Sequence, residues 1–476
     1  MNYEIVIGLE THVELSTKTK IFCSCSTAFG GEPNTHLCPV CLGMPGMLPV
    51  LNKSVLEYAI KAGLATNCDI TRYSKFDRKN YFYPDLPKAY QISQLYAPIC
   101  RNGHLDIETE AGSRRVGIHE IHMEEDAGKL THDPWEDMSL VDYNRGGVPL
   151  LEIVTEPDLR SGEETIAYLE KLKATLQYLG VSDCKMQEGS MRADVNISVR
   201  PVGSDKLGTR SELKNMNSFK AIGRAIAYEA KRQIEILEEG GQVVQETRRW
   251  DENKDATFPM RTKENAHDYR YFPDPDLPPI SVSDEQIESL KSSLPELPDA
   301  KRARYVKEFG LPEYDASILI SSKYLADLFE KAVDICKKPK EVANMIMGDL
   351  MKLLNDNGKL PEDLTMDPAA MAVIINFIAD NKINRTTAKK VFEKVFTDHV
   401  DPAQYIEENQ LFMVSDDSAV RKTIEDIFAA NPQSVADYKS GKEKARGFLV
   451  GQSMRALKGK ADPAMVNSIV DELLKK

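Results

Sequence analysis

No run of about 18 apolar residues occurs in this 476-residue chain, which excludes an ordinary helical membrane span. The opening residues, MNYEIVIGLETHVEL, lack the basic start and apolar stretch of a secretory signal. Their few basic residues do not fit a transit peptide, so a cytoplasmic protein without membrane association is expected. Internal repeats and low-complexity tracts are also missing. No G-x-x-x-x-G-K-[ST] loop is present, so any ATP used is not held by that motif. Neither a G-x-S-x-G elbow nor a glycine- and serine-rich amidase signature occurs, and no cysteine sits in a glutaminase-like setting. The chain is therefore not expected to release ammonia from an amide by itself. Cations are in the minority, 61 Lys and Arg against 74 Asp and Glu, giving a net charge of −13. That excludes a uniformly basic surface but not a local basic patch.

The length suggests about three domains. The texture of the sequence changes along it. Residues 1–292 are rich in Gly, Pro, Tyr and short alternating runs, interrupted by helical patterns at Gly162–Leu179 and Ser218–Glu239. The clearest strand is Met191–Arg200, where a period of two puts Arg192, Asp194, Asn196, Ser198 and Arg200 on one face. This mixture predicts an α+β domain. After the break at Leu294–Pro298, apolar residues recur three and four apart in Tyr324–Cys336, Glu341–Leu354, Asp367–Asp380 and Thr386–Phe396. Asn384 is placed to start a helix. Residues 297–405 read as all-α, and 406–476 as a second helical domain. Residues 441–476 carry eight Lys or Arg against four Asp or Glu, so this end is basic within an acidic chain.

Four of the eight cysteines fall within residues 23–41. Cys23 and Cys25 form a CxC pair, and Cys38 and Cys41 a CxxC pair 12 residues further on. Four thiolates at this spacing suit tetrahedral Zn²⁺, and a closed set of four ligands implies a structural role. The bland alternative is four reduced thiols in a loop. Cys68, Cys100, Cys184 and Cys336 stand alone and read as small buried apolar residues.

Three acidic motifs carry possible chemistry. Glu10, His12 and Glu14 share one side of an extended segment, a set suited to Mg²⁺ or Mn²⁺ or else a solvated strand face. His119 to Asp126 pack two histidines and four acids into eight residues, which is either a cation-stabilised edge or an exposed acidic loop. Glu152 is set inside an apolar strand, and burying it unpaired is costly, so a metal or basic partner is expected. Arg78, Lys79, Arg192, Arg210, Lys214 and Arg270 are candidates to face a phosphate, or ordinary surface cations.

Long strings then carry a resemblance. IGLETHVEL, CPVCLGMPGMLPVLN, KNYFYPDLPKAYQISQ, IHMEEDAGK, DYNRGGVPLLEIVTEPD, GSMRADVNISVRP, ELKNMNSF and HDYRYFPDPDLPP stand in order and resemble the B subunits of tRNA-dependent amidotransferases, the GatB/GatE family. Gly146 and Ala193 depart from the family pattern, where Ala and Cys are expected, but neither is a proposed ligand. The resemblance implies a glutamine-synthetase-like catalytic cradle followed by two all-α domains, the last of which binds tRNA. It implies a carbon–nitrogen ligase with glutamine as amido donor, working in a heterotrimer with an amidase A subunit and a small C subunit. ATP would phosphorylate the side-chain carboxylate of mischarged Glu-tRNA(Gln) or Asp-tRNA(Asn), and channelled ammonia would displace the phosphate.

On that resemblance, Glu10, His12, Glu125 and Glu152 are expected to ligate Mg²⁺ or Mn²⁺, with Glu124 and Asp194 as weaker candidates. Lys79, Arg192 and Arg210 would steady nucleotide or phosphate, while Lys88 and Glu125 would admit ammonia. Lys442, Lys444, Arg446, Arg455, Lys458 and Lys460 would meet the tRNA backbone, which is read mainly through phosphates and shape. Two competing readings stay open: a non-catalytic, zinc-stabilised RNA-binding scaffold, and a stand-alone carboxylate–amine ligase acting on free amino acids.

Overall fold

The structure, a computed structural model, describes residues 2–475 apart from 134, 263–267, 414–416 and 458–460. It divides into two compact units, Met1–Lys301 and Arg302–Lys476.

The first unit is built on a nine-stranded sheet. Its strands are β1 (Tyr3–Glu14), β2 (Asp69–Ile70), β3 (Cys100–Thr109), β4 (Gly112–Glu125), β5 (Pro149–Thr155), β6 (Met191–Pro201), β7 (Ser211–Lys214), β8 (Glu246–Asp251) and β9 (Ala256–Thr262). Their order across the sheet is β9-β8-β7-β6-β1-β5-β4-β3-β2. Every pairing is antiparallel except β7 with β8. The first strand of the chain is thus central, flanked by β5 and β6.

Alternation decides which face is which. Ile7, Leu9 and Val13 of β1, Leu151 and Ile153 of β5, and Val195 and Ile197 of β6 are buried on one side. Helices α1 (Lys53–Ala65), α2 (Gly162–Leu179) and α3 (Phe219–Glu238) supply buried residues to the same core, including Ile60, Tyr168, Leu172, Leu176 and Ile222. Burying each such side chain contributes on the order of 1.5–3 kcal/mol. Serine caps start two of these helices: Ser161 Oγ accepts from the Glu164 N–H and Ser218 Oγ from the Ala221 N–H. The opposite face of the sheet is polar.

One fully buried acid ties α3 to the far edge of the sheet. Glu229 accepts two hydrogen bonds from Arg232, at 2.6 and 2.9 Å, one from Gln233 and one from the Thr257 hydroxyl. Gln233 also donates to Ser211 Oγ.

The second unit is helical, and it holds two separate apolar cores. One runs from Tyr305 to Ile406 and the other from Val420 to Leu474. The helices Lys323–Cys336, Pro368–Ala379 and Arg385–Asp398 lie where the apolar spacing predicts them. Asn384 caps the last, its Oδ1 accepting from the Thr387 N–H at 2.8 Å. The stretch read as one helix over Glu341–Leu354 instead widens into a π-helical turn at Met345–Leu350, around Gly348.

Candidate metal centres on the polar sheet face

Cross-strand register assembles the site. In the β1 pairings His12 lies opposite Glu152 of β5 and Arg192 of β6, and Glu10 lies opposite Asp194. Glu152 in turn faces His122 of β4, and Asn196 faces Glu212 of β7. Directly opposed residues on one sheet face bring their side chains together, so five strands deliver acids and imidazoles to one surface.

The first cluster centres on His12. Its Nε2 is 3.5 Å from Glu152 Oε2 and 3.7 Å from Glu124 Oε1. His122 stands behind, with Nε2 3.0 Å from Glu152 Oε2 and 3.6 Å from Glu124 Oε2. The Ser93 hydroxyl donates to Glu124 at 3.2 Å. Burial disfavours charge on His12, but its hydrogen bond to Glu152 and the charges of Glu152, Glu124 and Asp194 outweigh that and raise its pKa. Burial likewise pushes Glu152 up, yet the charge of His122 and hydrogen bonds from both imidazoles hold it well below the usual carboxylate range. One ligand atom from each of His12, Glu124 and Glu152 lies within 4.8 Å of the other two. An imidazole with two hard carboxylates suits a divalent Mg²⁺ or Mn²⁺ ion.

The second cluster, Glu10, Asp194 and Glu212, is as compact, its ligand atoms also within 4.8 Å of one another. Asn196 Nδ2 donates to Glu10 at 2.9 Å, and the Thr247 hydroxyl donates to Glu212 at 2.7 Å. Lys214 bridges Asp194 and Glu212, at 2.8 Å from the latter. Burial works against its charge, but those two carboxylates raise its pKa. Burial also raises the Glu10 carboxyl, and the charge of Glu152 adds to the rise, so each cluster feels the other. All-carboxylate donors again fit a hard divalent cation.

Nearby, Arg192 donates to Asp126 at 2.7 Å, and Arg145 lies 3.5 Å from the same carboxylate. The Glu14 carboxyl is pushed up to about 8 by burial and then by Asp126.

A small sheet formed by Asp77–Asn80, Tyr90–Ser93 and Phe272–Pro273 sits at the rim. It carries Lys79, whose Nζ lies 5.0 Å from the Tyr269 ring and 5.9 Å from that of Tyr81. The Tyr81 phenol lies within the field of Glu124, and that of Tyr271 within the fields of Glu124 and Glu152.

Glu125 behaves differently from its neighbour. Successive residues of β4 face opposite sides of the sheet, so Glu125 points away from the His12 cluster. Lys88 Nζ donates to both its oxygens, at 2.6 and 2.7 Å, and the Ile92 N–H donates at 2.9 Å. The pair borders a cavity of about 60 Å³ shared with Lys20, Cys23, Cys41 and Gly43. Gly43 has φ +66°, and a Cβ there would lie 2.3 Å from Lys88 Cγ.

Cys23, Cys25, Cys38 and Cys41 converge, their sulfurs within 4.8 Å of one another. The Cys38 N–H donates to Cys41 Sγ at 3.2 Å, and turns from Leu42 N to Cys38 O and Gly43 N to Val40 O fold the CxxC loop. The donor set and its compactness fit a tetrahedral, closed zinc site. The other four cysteines are buried and form no disulfide.

Comparison with known proteins decides the family. The description "GatB/GatE catalytic domain" matches residues 5–288, and "GatB domain" matches 327–474. The chain belongs to the GatB/GatE family. A protein of Lachnoclostridium phytofermentans is 65% identical over 474 residues, covering 100% of this chain and 99% of its own. One from Agathobacter rectalis is 63% identical over 473 residues, covering 99% and 100%. One from Caldicellulosiruptor saccharolyticus is 61% identical over 479 residues, covering both chains fully. All three are named as the B subunit of an aspartyl/glutamyl-tRNA(Asn/Gln) amidotransferase.

Within this member of the GatB/GatE family, the residues anticipated from sequence sort into distinct places. Glu10, His12, Glu152 and Asp194 lie on the polar face, whereas Glu125 is paired with Lys88 away from them, and Glu124 is the residue grouped with His12 and Glu152. Glu212 is not among the residues anticipated from sequence, and His122 is anticipated only as part of the acidic edge at His119–Asp126. The signal for His122 and Glu124 was present in the parity they share along β4. Arg78 is committed to Asp274 and Asp276, at 2.7 and 2.6 Å, and Lys214 to acids of the second cluster. Arg210 is exposed in the loop before β7, two positions ahead of Glu212, and Arg270 is exposed beside the rim tyrosines. In the basic tail Lys444 and Arg455 are exposed, and Lys442 is 3.0 Å from Asp437. Arg446 pairs with both oxygens of Asp471, at 2.5 and 2.9 Å, which draws it from the free basic surface. Lys458 and Lys460 lie outside the described residues. Among the described residues, no helix is long and apolar enough to cross a membrane.

Proposed function

We propose that this chain is the subunit of a tRNA-dependent amidotransferase that activates and amidates the side-chain carboxylate of glutamate or aspartate mischarged onto tRNA(Gln) or tRNA(Asn). The observation that carries this reading is the pair of ligand clusters, His12–Glu124–Glu152 and Glu10–Asp194–Glu212, side by side on one sheet face in a chain of this family. A polar, antiparallel sheet face lined with metal-binding carboxylates is also what a glutamine-synthetase-like cradle would present. The three-domain division 1–292, 297–405 and 406–476 belongs to the same reading.

The chemistry follows from what a carboxylate lacks. Oxide is a very poor leaving group, so the acid is first made an acyl phosphate: a side-chain oxygen bonds to the γ-phosphorus of ATP and ADP departs. The nitrogen of ammonia then bonds to the acyl carbon, phosphate leaves, and the nitrogen loses a proton. Divalent cations, when bound, neutralise the phosphate oxygens during the first transfer. His12, Glu124 and Glu152 would hold one ion and Glu10, Asp194 and Glu212 another. Behind them, His122 orients Glu152 and Asn196 orients Glu10. Arg192 and Lys79 would steady nucleotide or transferred phosphate, and exposed Arg210 would do so once substrate arrives. Lys88 and Glu125 lie behind the sheet at the small cavity, a charged pair suited to admitting ammonia that an amidase partner frees from glutamine. A small C subunit would complete the heterotrimer. The tail cations Lys442, Lys444, Arg455, Lys458 and Lys460 would meet tRNA phosphates, with Arg446 held back by its pair with Asp471, and the complex would work in the cytoplasm.

The test supplies the chain, assembled with its amidase partner, with Glu-tRNA(Gln), ATP, Mg²⁺ and either ammonia or glutamine. Amide formation from ammonia that survives inactivation of the amidase supports the reading. ATP turnover on free glutamate with no need for tRNA would favour the stand-alone ligase, and no ATP turnover on any substrate would leave an RNA-docking scaffold.

A further inference from the structure

Lys20 is a fully buried lysine, and its ammonium has few partners. Its Nζ donates to the Tyr143 carbonyl at 3.2 Å and lies 3.9 Å from Cys41 Sγ. Among the described residues no carboxylate pairs with it, which sets it apart from Lys88 in the same cavity wall. The backbone holds it in place: its N–H donates to the Cys25 carbonyl at 2.9 Å, and the next residue's N–H donates to Gly147 O at 3.0 Å. A buried ammonium without a counter-charge is strongly disfavoured. A zinc ion held by four thiolates is doubly negative, and with the four cysteines partly buried it too is stabilised by a nearby cation.

We propose that Lys20 is the resident counter-ion of the four-cysteine metal centre, donating an N–H···S hydrogen bond to Cys41 and setting how firmly the ion is held. The inference rests on the zinc reading of Cys23, Cys25, Cys38 and Cys41, and on no assumption about the amidation site. The bond draws electron density from one thiolate, so its removal leaves that sulfur more basic and more easily captured by protons or electrophiles. It also sets one wall of the cavity beside Lys88 and Glu125, so the metal centre and that ion pair share a boundary.

The full chain is purified as the unaltered protein, Lys20→Met and Lys20→Gln, and its zinc content is measured. Zinc extraction by a colorimetric chelator is then timed, and the thiolate-to-metal charge-transfer band is recorded after cobalt substitution. Extraction at least about tenfold faster in Lys20→Met, with the band moved to lower energy, is expected, since partners beyond the ligands typically carry 10–100-fold in metal affinity. Matching extraction rates and bands in the variants and the unaltered chain overturn the role of Lys20. Less than one zinc per unaltered chain overturns the zinc reading itself. If neither variant folds, ¹⁵N-lysine labelling of the unaltered chain decides. A slowly exchanging ammonium resonance that is lost when the chelator strips the metal supports the proposal, and one indifferent to stripping contradicts it.

Discussion

His12 and Glu152 sit directly opposite one another on neighbouring antiparallel strands, and their side chains close to 3.5 Å on the polar face of the sheet. Some 140 residues of chain separate them, so their meeting depends on the central position of the first strand. Glu124 completes the group from one strand further out, while Glu125, its neighbour in sequence, faces Lys88 on the other side.

That contrast makes the first prediction. Glu124→Gln and Glu152→Gln are expected to lower metal-dependent ATP turnover by roughly 100-fold or more, since even partners beyond the ligands carry 10–100-fold in metal affinity. Glu125→Gln should retain most ATP turnover and lose amide formation instead. Parallel assays of ADP and of amide product on each variant check this, and equal loss of ADP formation in Glu125→Gln would count against the division.

Gly43 offers a test of the Lys88–Glu125 pair from outside it. Alanine there is strained by the positive φ of +66° and drives a methyl toward Lys88 Cγ. Gly43→Ala is expected to lower amide yield per ATP cleaved, read as the ratio of amide to ADP, with tRNA affinity unchanged. A ratio equal to that of the unaltered chain would contradict the placement.

How much of this was legible beforehand follows from the range of each signal. Helices are local, and the apolar spacing of Gly162–Leu179 and Thr386–Phe396 is enough to find them. The alternation of β6 likewise announced its polar face. Strand order is non-local, and nothing in the residues of β1 says that β5 lies on one side and β6 on the other. Glu124 ranks below Glu125 in the sequence reading, although His122 and Glu124 share a parity that Glu125 does not; the density of acids there masks the difference. Glu212 was harder, since β7 is four residues long and pairs parallel to β8. The widening at Met345–Leu350 leaves the apolar spacing nearly unchanged and so gives no warning.

Acid stability tests the buried network of α3. Burial alone would raise Glu229, but hydrogen bonds from Arg232, Gln233 and Thr257 and the Arg232 charge hold it below its ordinary value. A depressed carboxyl stabilises the fold fully above its unfolded pKa, and the contribution fades as pH falls through the folded value. Glu229→Gln is expected to cost about 3 kcal/mol at neutral pH and to flatten the acid limb of a stability–pH curve. An unchanged acid limb in denaturant titrations from pH 7 downward would contradict it.

The tail prediction concerns salt. Charge reversal at Lys444 and Arg455 together should weaken tRNA binding and lower the slope of log K against log salt by about 1 for each phosphate no longer neutralised. Reversal of Arg446 should instead break its largely exposed pair with Asp471, visible as a slightly lowered melting transition with the salt slope unchanged. Identical salt slopes in the double reversal and the unaltered chain would remove these two cations from the tRNA surface.

Phosphorylation of the side-chain carboxylate before nitrogen attacks is the step on which the proposed reaction turns. The most direct measurement places ¹⁸O in the side-chain carboxylate of glutamate on tRNA(Gln) and follows it during turnover with ATP, Mg²⁺ and ammonia. One ¹⁸O transferred into each inorganic phosphate released is the predicted result. Phosphate free of ¹⁸O, with amide formed at the normal rate, would contradict the account.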